Sequence, residues 1–254
     1  EPGSGSDAAG LQTSAVADGD TYVLNGSKAW VSNGGQAGLY LVFGRTDKTS
    51  KHRGISCLIV ERDTPGLTVG PKEKTMGIRA SSTVQLSFAD ARVPKANLLG
   101  AEGQGFQIAM KTLDGGRFGI AAQAVGVAQA CLDEAMLYAT ERQAFDQPIA
   151  SFQAIRFMLA DMATNIQAAR WLTLHAAFCR DQNEPFTKQG SMAKLFASRT
   201  AVDCADKNVQ IHGGAGYTRD FPAERHYRDA KILEIYEGTS QIQHVVIADH
   251  LLPH

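Results

Sequence analysis

The sequence predicts an α+β fold in two parts: a β-rich region over residues 1–100 and a helical region over residues 101–254. Up to about residue 100, short β-prone runs alternate with turn signals. Beyond Gly100, apolar residues recur at spacings of three and four, the helical period. Length agrees, since 254 residues hold one large domain or two modest ones with ample core.

In the first part, "TYVLNGSKAWV" sets Asn25-Gly26 between two β-prone runs, which predicts a hairpin because a type I′ turn needs positive φ. "GLYLVFGRT" and "GISCLIVE" read as buried strands, and Val84, Leu86 and Phe88 alternate onto one buried face. Pro65-Gly66 and the polar "RTDKTSKHRG" read as loops. Short strands at this spacing predict a small antiparallel barrel or sandwich.

In the second part, residues 117–140 form a helical run dense in Ala and Gly. Ile155, Leu159, Met162, Ile166 and Ala169 make one apolar stripe on a long helix. "KQGSMAKLFASRTAVDCADKNVQI" is a third helix, stopped by Gly213-Gly214. "PAERHYRDAKILEIYE" is a fourth, from Pro222 near its first turn to Gly238, and "SQIQHVVIADHLL" closes the chain. A bundle of four to five helices follows. There is no internal repeat and no low-complexity linker.

A net charge of −1 offers no basic footprint for nucleic acid, and no apolar run reaches the length of a membrane span. No signal-peptide pattern opens the chain. Cys57, Cys131, Cys179 and Cys204 are scattered, without a CxxC pair, and read as reduced small hydrophobes of an intracellular protein. No HExxH or comparable spacing predicts a metal site.

The Gly-rich stretches "GSGSDAAG" and "HGGAGYTRD" lack the strand, helix and distal acid of a Rossmann dinucleotide site. Gly213-Gly214 reads as a helix cap or as a place where another molecule approaches the backbone closely. "ILEIYEGTSQIQ" raises a sharper question. Glu237 either ends a helix and reaches water, or sits against the apolar wall of Ile235 and Tyr236, which raises its pKa. Gly238 then breaks the helix and frees Thr239, Ser240 and their N–H groups for a ligand. A carboxylate so placed suits removal of a weakly acidic C–H proton beside a carbonyl.

Five stretches in order, "EPGSGSD", "WVSNGG", "GIRASST", "PAERHYRDAKI" and "YEGTSQIQ", resemble the acyl-CoA dehydrogenase family along essentially the whole chain. "AERHYRDAKILEIYEGTSQIQ" and "VIADHLL" are most similar to its short-chain, butyryl-type members. The resemblance implies a middle antiparallel β-barrel domain over residues 1–100 and a C-terminal four-helix bundle over residues 101–254. It also implies that the chain begins inside the first flavin loop, without the family's N-terminal helical domain, and that residues 1–254 alone turn over poorly.

It implies FAD as cofactor and an acyl-CoA thioester, short and straight or branched, as substrate. The reaction is dehydrogenation between Cα and Cβ to the trans-2-enoyl-CoA. Glu237 is the implied base, its backbone N–H holds the thioester oxygen, Gly238 leaves room for the thioester beside that N–H, and Tyr236 is a further substrate-binding residue. Trp30 packs beside the flavin ring, and Ser32 offers a hydroxyl toward N5 where many relatives have Thr. Thr239 and Gln241 match contacts to the FAD pyrophosphate and adenosine end. Arg142, Phe145, Gln153, Gln210, Gly213 and Gly214 match groups that hold the adenosine half of a neighbouring subunit's FAD. Asp146 departs from the "RxxFG" of many relatives. Ser6, Asp114 and Arg117 match contacts to the CoA portion. A subset of relatives carries the base at the place of Gly116, which cannot do that work.

The implied assembly is a homotetramer, a dimer of dimers, passing electrons to an electron-transfer flavoprotein. The compartment is the cytoplasm of a bacterium or the mitochondrial matrix of a eukaryote. Two other readings stand beside this one: a member for an aromatic or dicarboxylic acyl group, and a non-catalytic flavin-binding module.

Overall fold

The computed structural model describes residues 1–252, which form two compact units. One comprises Glu1–Thr75 and Arg79–Thr112; the other comprises Met76–Ile78 and the chain from Leu113 on.

The first unit is built on a seven-stranded sheet. Its strands are β1 (Ser14–Asp18), β2 (Thr21–Val31), β3 (Leu39–Arg45), β4 (Ile55–Glu61), β5 (Leu67–Val69), β6 (Val84–Pro94) and β7 (Leu98–Leu99). They lie in the order β5-β6-β2-β1-β3-β4-β7. Every pairing is antiparallel except β1 with β3, which meet in parallel at Ser14 and Arg45. The alternation on β6 holds: Val84, Leu86 and Phe88 are buried with Leu24, Val42, Leu58 and Val60 in one core.

The hairpin expected at Asn25-Gly26 does not exist. β2 runs straight through both residues, and the turn joining β1 to β2 is Gly19-Asp20, with Gly19 at φ 54°. Asn25-Gly26 instead forms an irregularity in the pairing of β2 with β6, whose register shifts between Leu24 and Gly26. The Asn25 side chain donates to Asp90 Oδ1 and accepts from the Asp90 N–H, both at 2.9 Å, so it supports a bulge rather than a turn. Gly26 has φ 141°, and a Cβ there would lie 2.8 Å from Thr13 Cα. Gly26→Ala is therefore expected to destabilise the protein by about 2 kcal/mol, read from its denaturation midpoint. A midpoint equal to the parent's would show that the bulge tolerates a side chain.

The second unit is helical. Its long helices are α1 (Gly105–Glu141), whose first turns count with the β unit, α2 (Gln153–Asp181) and α3 (Thr187–His212), followed by the short α4 (Ala223–Ala230) and α5 (Ser240–Asp249). α3 packs against α2, α4 and α5. Its buried Ala193, Ala197, Ala201 and Ala205 recur every four residues. The stripe on α2 runs through Met162, Ile166 and Ala169 as expected and continues to Ala176 and Cys179, while Ile155 and Leu159 are only partly buried.

Two helices differ in extent from the sequence reading. α1 begins at Gly105 rather than residue 117, because Gly115 and Gly116, poor helix formers, lie inside it. The fourth helix stops early. α4 ends at Ala230, a 3₁₀ turn covers Lys231–Glu234, and non-helical chain follows to Thr239. The tighter turn buries Leu233 fully and brings Lys231 Nζ within 2.6 Å of Glu234 Oε2.

Candidate active site

Glu237 lies in that non-helical stretch, not on a helix. Its backbone is left-handed at φ 54°, and Gly238 follows at φ 89°. For a residue with a Cβ this conformation costs about 1–2 kcal/mol, so surrounding contacts must hold it. The carboxylate is half-buried. Burial raises its pKa above the ordinary carboxylate value, against the opposing pull of the Arg117 and Lys194 cations.

Arg117, on α1, is 5% exposed, and its Nη1 donates to Asp114 Oδ1 at 2.7 Å. The other Asp114 oxygen accepts from the Thr187 hydroxyl at 2.8 Å. Arg117 Nε is buried without a partner among the described residues. Gly116 lies against the carboxylate: a Cβ on it would come 2.2 Å from Glu237 Oε2. Glycine at this place lets the carboxylate lie directly on α1. On the other side, the Tyr236 hydroxyl donates to Gln123 Oε1 at 2.7 Å.

The turn itself is held by side chains. The Gly238 carbonyl accepts from Lys194 Nζ at 2.7 Å and from Gln243 Nε2 at 2.9 Å. The Glu237 carbonyl accepts from Gln243 Nε2 at 3.2 Å. Lys194 and Gln243 are fully buried. Burial lowers the Lys194 pKa to about 8, with Glu234 and Glu237 raising it and Arg117 lowering it. The N–H groups of Glu237 and Gly238 meet no acceptor among the described residues. The turn therefore presents a carboxylate, free N–H donors and buried positive charge together.

The raised pKa of Glu237 fixes a sign. Between the ordinary value of 4.5 and its own, the folded chain binds more protons than the unfolded chain, so stability falls as pH rises. Glu237→Gln imitates the protonated acid. It is expected to melt at the same temperature as the parent below pH 4.5 and at a higher one above, in thermal scans at several pH values. A variant that melts lower at neutral pH would contradict the assigned direction.

The remaining predicted residues fall in separate places. Thr239 caps α5, its hydroxyl accepting from the Ile242 N–H at 3.3 Å, and Gln241 is exposed on the first turn. Arg142 and Gln153 are exposed and flank the small hairpin of β8 (Gln143–Ala144) and β9 (Gln147–Pro148). Phe145 and Asp146 are its turn, both at positive φ (53° and 62°), as a type I′ turn requires. Asp tolerates that conformation in place of Gly, whereas Phe145 is 88% exposed in it. Gln210 is exposed near the end of α3, and Gly213, at φ 59°, stops the helix. The cap reading of the Gly pair therefore holds, and a Cβ on Gly213 or Gly214 would meet nothing within 4 Å.

In the β unit, Trp30 is 67% exposed with φ 59°, where the β2–β6 register shifts between Lys28 and Val31. Ser32 follows it, exposed. Ser6 is exposed in a loop that the Glu1 carboxylate closes by accepting from the N–H groups of Gln12 and Thr13.

The helical unit thus gathers Asp114, Arg117, Tyr236, Glu237 and Gly238. Among the described residues no hydrogen bond, ion pair or ring contact joins Arg142, Phe145, Gln153, Gln210 or the Gly pair to them. Sequence reasoning missed Lys194 and Gln243. The one available signal was a charge inside the small-residue run "GSMAKLFAS".

Comparison with known proteins extends this geometry. Residues 1–91 match the family model of the acyl-CoA dehydrogenase middle domain, and residues 103–252 match that of the acyl-CoA dehydrogenase C-terminal domain. The mitochondrial short-chain specific acyl-CoA dehydrogenase of Bos taurus is 55% identical over 252 residues, 99% of this chain and 61% of that protein. The chain therefore spans about three-fifths of that relative's length. Butyryl-CoA dehydrogenase from Megasphaera elsdenii superposes with a TM-score of 0.98 at 49% identity, over 100% of this chain and 66% of that one. A chain in a structure of the electron transferring flavoprotein of Acidaminococcus fermentans is similar at TM-score 0.98 and 50% identity, over 100% of this chain and 67% of that one. Two family models, matched in order and covering nearly all of the sequence, leave one conclusion: this chain belongs to the acyl-CoA dehydrogenase family.

Proposed function

We propose that this chain carries the catalytic base and part of the flavin site of an FAD-dependent dehydrogenase acting on short-chain acyl-CoA thioesters. The observation that carries the reading is the half-buried Glu237 carboxylate seated on Gly116, its pKa raised by burial beside Arg117 and Lys194. Glu237 takes the proton from Cα of the thioester. Its free backbone N–H donates to the thioester oxygen, where negative charge gathers as the proton leaves. Asp114 and Arg117 bind the CoA portion, and Tyr236 and Gly238 border the thioester. Sequence similarity to the bovine short-chain specific acyl-CoA dehydrogenase and the Megasphaera butyryl-CoA dehydrogenase, at 55% and 49% identity, favours a short acyl chain.

The exposed aromatics fit a large planar cofactor. Trp30 and Phe145 are bulky residues held at positive φ with 67% and 88% of their surface open, Phe145 meeting only the Phe152 ring edge-on among the described aromatic contacts. Gly213 and Gly214 leave open backbone, and the α5 N-terminus beside Thr239 and Gln241 suits a pyrophosphate. FAD, when bound, supplies the acceptor for the hydride from Cβ. Trp30 and Ser32 border the ring, Thr239 and Gln241 take the pyrophosphate and adenosine end, and Arg142, Phe145, Gln153, Gln210, Gly213 and Gly214 hold the adenosine half of a neighbouring subunit's FAD. The similar chain in the structure of an electron transferring flavoprotein supports such a protein as the next electron carrier. Bleaching of the flavin absorbance on adding butyryl-CoA to the FAD-loaded protein, extended to the full length of its relatives, tests the reading; an unchanged spectrum would overturn it.

The chain acts in a dimer of dimers. Phe157, Trp171, Leu174 and Phe178 on α2 are half-exposed or more, a larger apolar face than one helix leaves to water. FAD content and mass measured together should show stoichiometric flavin only in the oligomer, and a monomer holding one FAD would refute this.

A further inference from the structure

We infer that Lys194 and Gln243 are positioning residues for Glu237, two buried donors that lock the Glu237–Gly238 turn with its carbonyls inward and its N–H groups free. The inference rests on the reading of Glu237 as the base.

Between Tyr236 and Thr239 the turn makes no backbone–backbone hydrogen bond among the described residues. The last ones before it go to the Ile232 carbonyl, and the next is Gln243 N–H to the Thr239 carbonyl. Two successive residues at positive φ are thus held by three side-chain bonds, from Lys194 on α3 and Gln243 on α5. Neither residue is what packing alone would select. Lys194 is a fully buried cation among Ala193, Ala197 and Ser198 on its own helix, and Gln243 Oε1 is buried without a partner. Buried polar groups of this kind are unfavourable unless a bond compensates, and here every compensating bond ends on one turn.

The consequence is geometric. In a planar trans peptide, N–H and C=O point in opposite directions. With the Glu237 carbonyl tied to Gln243, the Gly238 N–H is turned away from α5, and tying the Gly238 carbonyl orients the Thr239 N–H likewise. The turn cannot relax without breaking bonds to two helices. Lys194 adds charge: Glu237, Glu234 and Arg117 all act on its ammonium, and Arg117 is the other cation acting on Glu237, whose charge also acts on Tyr236.

The two residues separate by charge, and the test uses that. In the FAD-loaded protein, Lys194→Met and Gln243→Leu are each expected to speed amide hydrogen exchange over residues 236–241 by roughly tenfold, with α2 exchange unchanged. Lys194→Met removes a cation near Glu237, so the acidic limb of substrate-driven flavin reduction should move up by about one pH unit. Gln243→Leu removes no charge and should leave the limb in place. Unchanged exchange in both variants would overturn the inference, as would an unmoved limb in Lys194→Met. If Lys194→Met does not fold, exchange in Gln243→Leu decides alone. Glu237→Gln serves as the control: near-parental flavin reduction there would remove the base reading, while the exchange measurements still decide whether the turn is clamped.

Discussion

In the protein extended to the full length of its relatives, flavin reduction by butyryl-CoA is expected to fall roughly 10²- to 10⁴-fold in Glu237→Gln, the range that general-base catalysis contributes. The amide keeps the shape and polarity of the side chain and leaves the residue 237 backbone N–H in place, but it cannot accept the α-proton. Acyl-CoA binding should survive, because the lost interaction belongs to the transition state and appears in kcat rather than in ground-state affinity. The parent pH profile should show one group that must be deprotonated, its pKa above the ordinary carboxylate value because Glu237 is half-buried. The variant should lose that limb. Rapid mixing with butyryl-CoA while following flavin absorbance gives the number, and near-parental reduction would mean that another group is the base.

The second large effect is expected at Arg117. Arg117→Met keeps most of the buried stem but removes the guanidinium that pairs with Asp114 at 2.7 Å. Breaking a buried pair by deleting one partner costs about 3–5 kcal/mol, and here the low end applies. Asp114 remains bonded to the Thr187 hydroxyl and its side chain is 24% exposed. The expected loss is therefore about 3 kcal/mol, read from the urea midpoint. Arg117 is also the largest influence lowering the Glu237 pKa. Without it that pKa rises further, so the acidic limb of flavin reduction should move to higher pH and the loss relative to the parent should shrink as pH increases. A variant with the parent's midpoint and pH profile would show that the guanidinium neither stabilises the bundle nor faces the base.

Much of this architecture is legible locally. β6 follows from apolar alternation, β3 and β4 from their continuous apolar runs, and α2 and α3 from their helical period, although β3 is buried on one face only and leaves Leu39 and Leu41 exposed. Glu237 was also visible as an ionisable group among Ile235, Tyr236 and Gly238. The misreadings share a cause. Asn25-Gly26 has the chemistry of a turn, but Asp90 across the sheet bonds the Asn25 side chain and the run continues as strand. The helix expected to reach Gly238 gives way at Lys231 because the buried position of Leu233 overrides local propensity.

By itself the sequence determined the α+β class, the division between strands and helices near residue 100, the family and the identity of the unusual carboxylate. Only the tertiary structure decided what surrounds that carboxylate. Gly116, Arg117, Lys194 and Gln243 come from three different helices, and none carries a local mark of its partner. Periodicity reports which face of an element is buried, but not which element it is buried against. The environment that raises the pKa of Glu237 is made of such contacts between elements, and it exists only once the bundle has closed around the turn.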